Sequence, residues 1–203
     1  MFLWIIIVLC RLYNPIAFLL SINYHLFVFQ SSHLLMEKLI SYPIPPSLPL
    51  YRHLICVFCT CFRFYIISLD TGREPTVKTA AHLMRRLIYN NKDRLMAGVI
   101  IAGWDEVAGG SVYTITLGGS CLELPFASGG SGSVFIAGLL DSEFRPGMSQ
   151  EEARNLAKKA CSHAMTRDGS SGGVIRTVAI TSNGVHRDYT SGNELPFGPS
   201  AVW

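Results

Sequence analysis

Two glycine-rich turns carry most of the side chains in this sequence that can do chemistry. The first is Gly129-Gly130-Ser131-Gly132-Ser133, and the second is Arg167-Asp168-Gly169-Ser170-Ser171-Gly172-Gly173. The first can offer backbone amides to a phosphate. It lacks, however, the Gly-Lys-Ser/Thr end of a phosphate loop and the spacing of a dinucleotide fingerprint. It also misses the Gly-x-Ser-x-Gly nucleophile elbow, because Ser133 stands where the last glycine belongs. The second turn presents one carboxylate and two hydroxyls between a long amphipathic segment and a buried strand. Taken alone it reads better as the glycine stop of a helix.

The remaining candidates are more dispersed. Asp70-Thr71-Gly72, after Ile66, Ile67 and Leu69, imitates the strand-borne aspartate of an aspartic protease, whose mechanism needs two carboxylates sharing a proton. Arg73-Glu74-Pro75 follows at once and leads into a helix, so a loop is the better reading. His82, His163 and His186 have no acidic or cysteine partner at metal spacing, although a Ser-His-Asp triad can assemble in space from any chain order. Cys56-Val57-Phe58-Cys59, with Cys61 and His53 nearby, has the two-residue gap of a zinc pair but no second pair. No metal site and no cofactor follow from these patterns.

The elements that must position the two turns are legible from Pro75 onward. Val77, Ala80, Ala81, Met84, Leu87 and Ile88 recur at helical spacing with charged residues between them, which predicts an amphipathic helix ending near Asn91. Met96 to Trp104 reads as an apolar strand, Asp105 to Gly110 as a turn and Ser111 to Leu117 as the hairpin partner. Short strand pieces follow around Cys121 to Ala127. The glycines of the first turn let the backbone bend and its serines can cap the apolar run Val134 to Leu140, expected as helix. Ser149-Gln150-Glu151-Glu152 has capping-box spacing and opens a second long helix, with Ala153, Leu156, Ala157, Ala160, Ala164 and Met165 on its buried stripe. Val174 to Ile180, Asn183-Gly184 and Val185 to Tyr189 spell a closing hairpin. Helices beside antiparallel hairpins, without strict alternation, make this an α+β layered fold.

Composition divides the 203 residues near position 67. All 18 glycines lie from Gly72 onward, while 13 of the 22 aromatic residues fall within the first 69 positions, so the two segments differ in character. The net charge of +3 comes from the first 69 residues, with four Lys or Arg against one Glu; no basic stripe is visible, which argues against nucleic acid. Leu12 to Met36 carries no formal charge and is long enough to cross a bilayer, yet Asn14, Pro15, Asn23, His25 and Gln30 interrupt it. Met1 to Cys10 also lacks the basic opening of a secretory signal. Pro43, Pro45, Pro46 and Pro49 mark a spacer. Cys121 and Cys161 stand alone in the main body, which fits a reducing compartment.

Three stretches taken together change the reading: Ala97-Gly98-Val99-Ile100-Ile101-Ala102-Gly103-Trp104-Asp105, Gly129 to Ser133, and Arg167 to Arg176. In order and spacing they closely resemble the beta subunits of the proteasome, most of all the caspase-like type that cleaves after acidic residues. The likeness runs from about Ile67 to the C-terminus. It implies a partial four-layer αββα sandwich of the N-terminal nucleophile hydrolase kind, with residues 1–66 as an unrelated apolar leader outside the domain and residues 67–203 as its C-terminal two thirds. It also implies proteasome alpha and beta subunits in seven-membered rings as partners, polypeptides as substrates, and a place in the cytoplasm and nucleus, with a membrane reached only through the leader.

In that family the nucleophile is the hydroxyl of an N-terminal threonine, released by cutting a Gly-Thr bond, with its own amine as base. The resemblance puts Ser131, Asp168 and Ser171 on the positions that orient this threonine. The threonine itself, an aspartate, a lysine and the oxyanion-hole amide come from the first third of such subunits, where this sequence has the leader. Neither a Gly-Thr pair nor a free N-terminal threonine is present, and Thr71 is internal. The chain is therefore expected to lack its own hydrolytic activity and to lack the first strands and helix of the sandwich. The alternative is a non-catalytic, membrane-anchored or decoy paralogue that binds neighbouring subunits.

Overall fold

The computed structural model describes residues 6–10, 16–21, 72, 75–93 and 97–195, the first two of these stretches as backbone. The proline spacer, the Cys56, Cys59 and Cys61 group with His53, and Asp70-Thr71 lie outside the described residues. Among those described, no helix is long and apolar enough to cross a membrane.

Four layers build the molecule. Helix α1 (Val77–Asn90) covers a three-stranded sheet in the order β3 (Val99–Asp105), β4 (Gly109–Ile115), β5 (Cys121–Glu123). That sheet faces a five-stranded sheet of order β6-β1-β2-β7-β8, made of β1 (Ile6–Cys10), β2 (Ile16–Ser21), β6 (Phe126–Gly129), β7 (Ile175–Thr181) and β8 (Gly184–Thr190). Helices α2 (Ala137–Glu143) and α3 (Gln150–Arg167) cover its outer face. Every strand pair is antiparallel. This is the layered α+β architecture expected from the sequence.

Strands β1 and β2 come from the segment expected to precede the domain. Their backbones fill the two sheet positions between β6 and β7 that the sequence reading leaves vacant. An uncharged run rich in Ile, Val, Leu and Phe has the composition of a strand enclosed between layers, and such a run is equally compatible with a leader.

Each layer contact follows from side-chain period. Val77, Ala80, Ala81, Met84 and Ile88 of α1 meet Ile101, Tyr113 and Ile115. Between the sheets lie Ala102, Val112, Ala127, Val178 and Ile180, and on the outer face Ala153, Leu156, Ala157, Ala160 and Ala164 of α3 pack with Ile136, Leu140, Ile175 and Ala179. Alternate residues of β7 thus serve opposite layers, as a strand enclosed on both faces requires. Small residues permit the close approach. At Gly103 an added Cβ would come within 2.9 Å of a Val77 methyl, so β3 lies directly against the start of α1.

Local polar bonds set the helix starts. The Thr76 hydroxyl accepts from the Thr79 amide at 3.3 Å, and the Asp105 carboxylate accepts from the Val77 amide at 2.9 Å while its other oxygen holds Val107 and Ala108 of the β3–β4 turn. At α3 the capping box is complete: Glu152 N–H donates to Ser149 Oγ at 3.2 Å, and Ser149 N–H donates to Glu152 Oε2 at 2.6 Å. Lys159 and Glu143 tie α3 to α2 at 2.5 Å.

These contacts rank two substitutions. Leu140→Ala removes a fully buried side chain beneath α2 and should cost about 2–5 kcal/mol, whereas Ser149→Ala should cost about 1 kcal/mol. Urea unfolding followed by far-UV circular dichroism measures both, and equal losses would contradict the packing described.

Candidate functional site

The site forms where two turns meet at one end of the five-stranded sheet. Strand β6 ends at Gly129, and Gly130 follows at φ 99°, a left-handed conformation that a side chain resists. The chain then enters a 3-10 turn, Ser131–Phe135, before α2. The serines expected to cap this run do not do so: the turn has no side-chain cap. Ser133 Oγ donates to the Gly130 carbonyl at 2.7 Å, and Ser131 Oγ reaches across to Asp168 Oδ2 at 2.6 Å. A carboxylate is a stronger acceptor partner than a neutral group, which explains why Ser131 leaves its own turn.

Asp168 stands at the C-terminal cap of α3, its amide bonded to the Ala164 carbonyl at 2.8 Å. The turn after it closes with the Ser171 amide on the Asp168 carbonyl at 3.0 Å. Within it, Ser171 Oγ donates to Asp168 Oδ2 and the Ser170 amide donates to Oδ1 at 3.1 Å. The structure therefore brings Ser131, Asp168 and Ser171 together around one carboxylate, all three half-buried. The hydrogen bonds from Ser131 and Ser171, joined by the Ser170 amide and opposed by partial burial, hold the Asp168 carboxyl below its ordinary value near 3.8.

The arrangement has a chemical sense. Each hydroxyl spends its proton on the carboxylate, so its oxygen is left to present lone pairs outward. An ionised carboxylate screened behind two such acceptors suits an ammonium or another hydroxyl donor. Backbone register shows what stands beside it: Ile6 at the start of β1 lies opposite Gly129, two residues before Ser131, and also opposite Ser21 at the end of β2.

His82, His163 and His186 lie on α1, α3 and β8, whereas Ser131, Ser170 and Ser171 supply the hydrogen bonds to the Asp168 carboxylate. Among the described residues no group of three or more His, Cys, Asp or Glu can hold a metal. Cys161 is fully buried under α3, where burial pushes its thiol pKa up. One contributor escaped the sequence reading. Gly192, in the 3-10 turn Gly192–Glu194, brings its backbone against the Gly173 carbonyl so closely that no Cβ fits. It braces the loop that carries Ser171, and only an isolated glycine signals it.

Two measurements follow. The Asp168 carboxyl should titrate below the ordinary aspartate range in a carboxyl-resolved NMR titration, and Ser131→Ala should move it upward. Because the folded value is depressed, the cluster stabilises the fold above the unfolded aspartate value of about 3.9 and loses that contribution as pH falls through the folded value. An unshifted carboxyl would refute the cluster.

Comparison with known proteins adds independent support. A family model described as proteasome subunit matches residues 65–180. Proteasome subunit beta type-6 of Dictyostelium discoideum is 55% identical over 135 residues, 65% of this chain and 63% of that protein. The Arabidopsis thaliana beta type-6 subunit is 48% identical over 128 residues, covering 63% and 55%. Proteasome subunit beta type-1 of Saccharomyces cerevisiae is 52% identical over 125 residues, covering 61% and 58%. The matched part thus spans about three fifths of the length of these relatives. A single family model over more than half the sequence, and relatives of one kind at about half identity, place the chain in the proteasome subunit family, among its beta-type members.

Proposed function

We propose that this chain is the orienting portion of a proteasome core-particle beta subunit of the threonine-type endopeptidase kind, acting in protein degradation in the cytoplasm and nucleus. The observation that carries the reading is the convergence of the Ser131 and Ser171 hydroxyls on Asp168, beside the start of β1. In this reading Asp168 stays ionised at neutral pH, and the two serine oxygens accept from the amine and hydroxyl of a terminal threonine. The amine is thereby held as the base that takes the hydroxyl proton during attack on a peptide carbonyl. Residues 67–203 form the C-terminal two thirds of the family domain, and the covering helices contact neighbouring alpha and beta subunits. Substrates are polypeptides, with cleavage after acidic residues implied by the likeness to the caspase-like type.

The 203 residues contain no Gly-Thr pair from which a threonine could be released. On their own they hold the supporting groups without the attacking one. Loss of a nucleophile from a comparably organised hydrolase lowers turnover by about 10^6, so this polypeptide is proposed to be catalytically silent while keeping the subunit surface.

Assembly and turnover test the two halves separately. The tagged chain should co-sediment with core-particle subunits; failure to do so overturns the subunit reading. The purified chain should leave a fluorogenic peptide with glutamate at the cut intact, and hydrolysis abolished by Asp168→Asn would overturn its silence.

A further inference from the structure

One transverse row of the five-stranded sheet runs through Gly129 of β6, Ile6 of β1, Ser21 of β2, Arg176 of β7 and Tyr189 of β8. Residues in register share a face. That face is the one turned to the three-stranded sheet, because a Cβ on Gly129 would meet Ile100 of β3 at 3.5 Å, and Val178 and Ile180, next along β7 on this face, are buried between the sheets. Arg176 itself is exposed, so it sits at the mouth of the layer between the sheets, at the end where Ser131, Asp168 and Ser171 meet.

Arg176 is not the only cation there. Arg187 is in register with Val178, which puts it on the same face, diagonal to Arg176, and it too is exposed. Tyr189 lies on that face beside both, more than half exposed, with the Arg176 guanidinium 6.0 Å from its ring centroid. Among the described residues neither arginine has a carboxylate within 4.0 Å, although Arg154 and Lys158 share Asp188 on the opposite face of the same hairpin. Two guanidiniums side by side, with no carboxylate between them among the described residues, repel and cost stability unless an anion joins them. An aromatic ring that stacks one of them fixes its fork for bidentate contact with a carboxylate.

We propose that Arg176, Arg187 and Tyr189 read an acidic side chain of the polypeptide substrate at a position removed from the cut. The proposal rests on the site reading above and adds a recognition element to it. Distance sets the position. Strands are spaced about 4.8 Å apart, so three strand steps put Arg176 roughly 14 Å from Gly129 along the row. An extended peptide advances about 3.3 Å per residue, and the arginine side chain shortens the gap, so the carboxylate read lies about two to four residues from the scissile bond.

Fluorescence anisotropy of the full 203-residue chain tests this with two labelled hexapeptides that differ in one residue, glutamate or its isostere glutamine. The glutamate peptide should bind about tenfold more tightly at low salt, the scale of a charge-assisted contact, and the preference should shrink as salt rises. Replacing both arginines, Arg176→Gln with Arg187→Gln, should bring the glutamate-to-glutamine affinity ratio to about one. Equal affinities in the unmodified chain, no binding of either peptide, or a preference that survives the double substitution would each overturn the proposal. If the variant misfolds by circular dichroism, the salt dependence and the glutamate-to-glutamine ratio of the unmodified chain decide. Co-sedimentation with the core particle is read independently, so loss of this patch and loss of the subunit reading are distinguishable.

Discussion

The Asp168 carboxylate is the joint on which the site depends. Its Oδ2 accepts from a serine 37 residues earlier in the chain and from one three residues later. It stands at the C-terminal end of α3, where the helix dipole already places partial negative charge, so an ionised side chain there is unfavourable unless donors surround it. Two hydroxyls and the Ser170 amide supply that compensation. A position that strains one rule and is rescued by three bonds from two turns is typical of a functional site. The same bonds link the ends of β6 and β7, which β1 and β2 separate in the sheet.

Much of the scaffold was legible because its signals are local. The capping box at Ser149 and Glu152, the Asn183-Gly184 reversal and the alanine stripe of α3 each occupy a few consecutive residues, and each appears where the spacing predicts. The site was legible only in its parts. Both turns announce themselves through glycine and serine, but nothing in the spacing between Ser131 and Asp168 says that they bond. Local reasoning therefore gave the serines to their own turn as caps, and tertiary contact drew Ser131 away. Asp105 shows the same limit: it reads as a turn residue, yet its second oxygen also secures α1, 28 residues back in sequence. Resemblance to a family could pair the turns; periodicity could not.

The first 21 residues mark a different boundary of inference. A segment whose one charge is Arg11 and which is rich in Ile, Leu, Val and Phe meets the demands of a bilayer, of a leader and of an enclosed strand alike, because all three ask for apolar surface and for backbone groups paired elsewhere. Composition therefore separated residues 1–66 from the rest without saying what they do. In the structure the backbones of Ile6–Cys10 and Ile16–Ser21 pair with β6 and β7 in unbroken antiparallel register. The two strands hold Cys10 and Ser21 but no threonine. Apolar character thus suffices to complete the sheet, whichever of the three roles the composition suggests.

The alanines of α3 explain how the layers hold an organised cluster. Ala157, Ala160 and Ala164 bury little area each, so they contribute less stability than leucines would, but they let the helix axis approach the sheet closely. Close approach leaves little freedom to slide. Ala164 is also the residue whose carbonyl takes the Asp168 amide, so the packing contact and the turn that carries Asp168 share one helical turn. Glu143 and Lys159 fix α3 to α2, and α2 follows directly from the turn that carries Ser131. Both halves of the Ser131–Asp168 bond are therefore anchored to the same pair of helices.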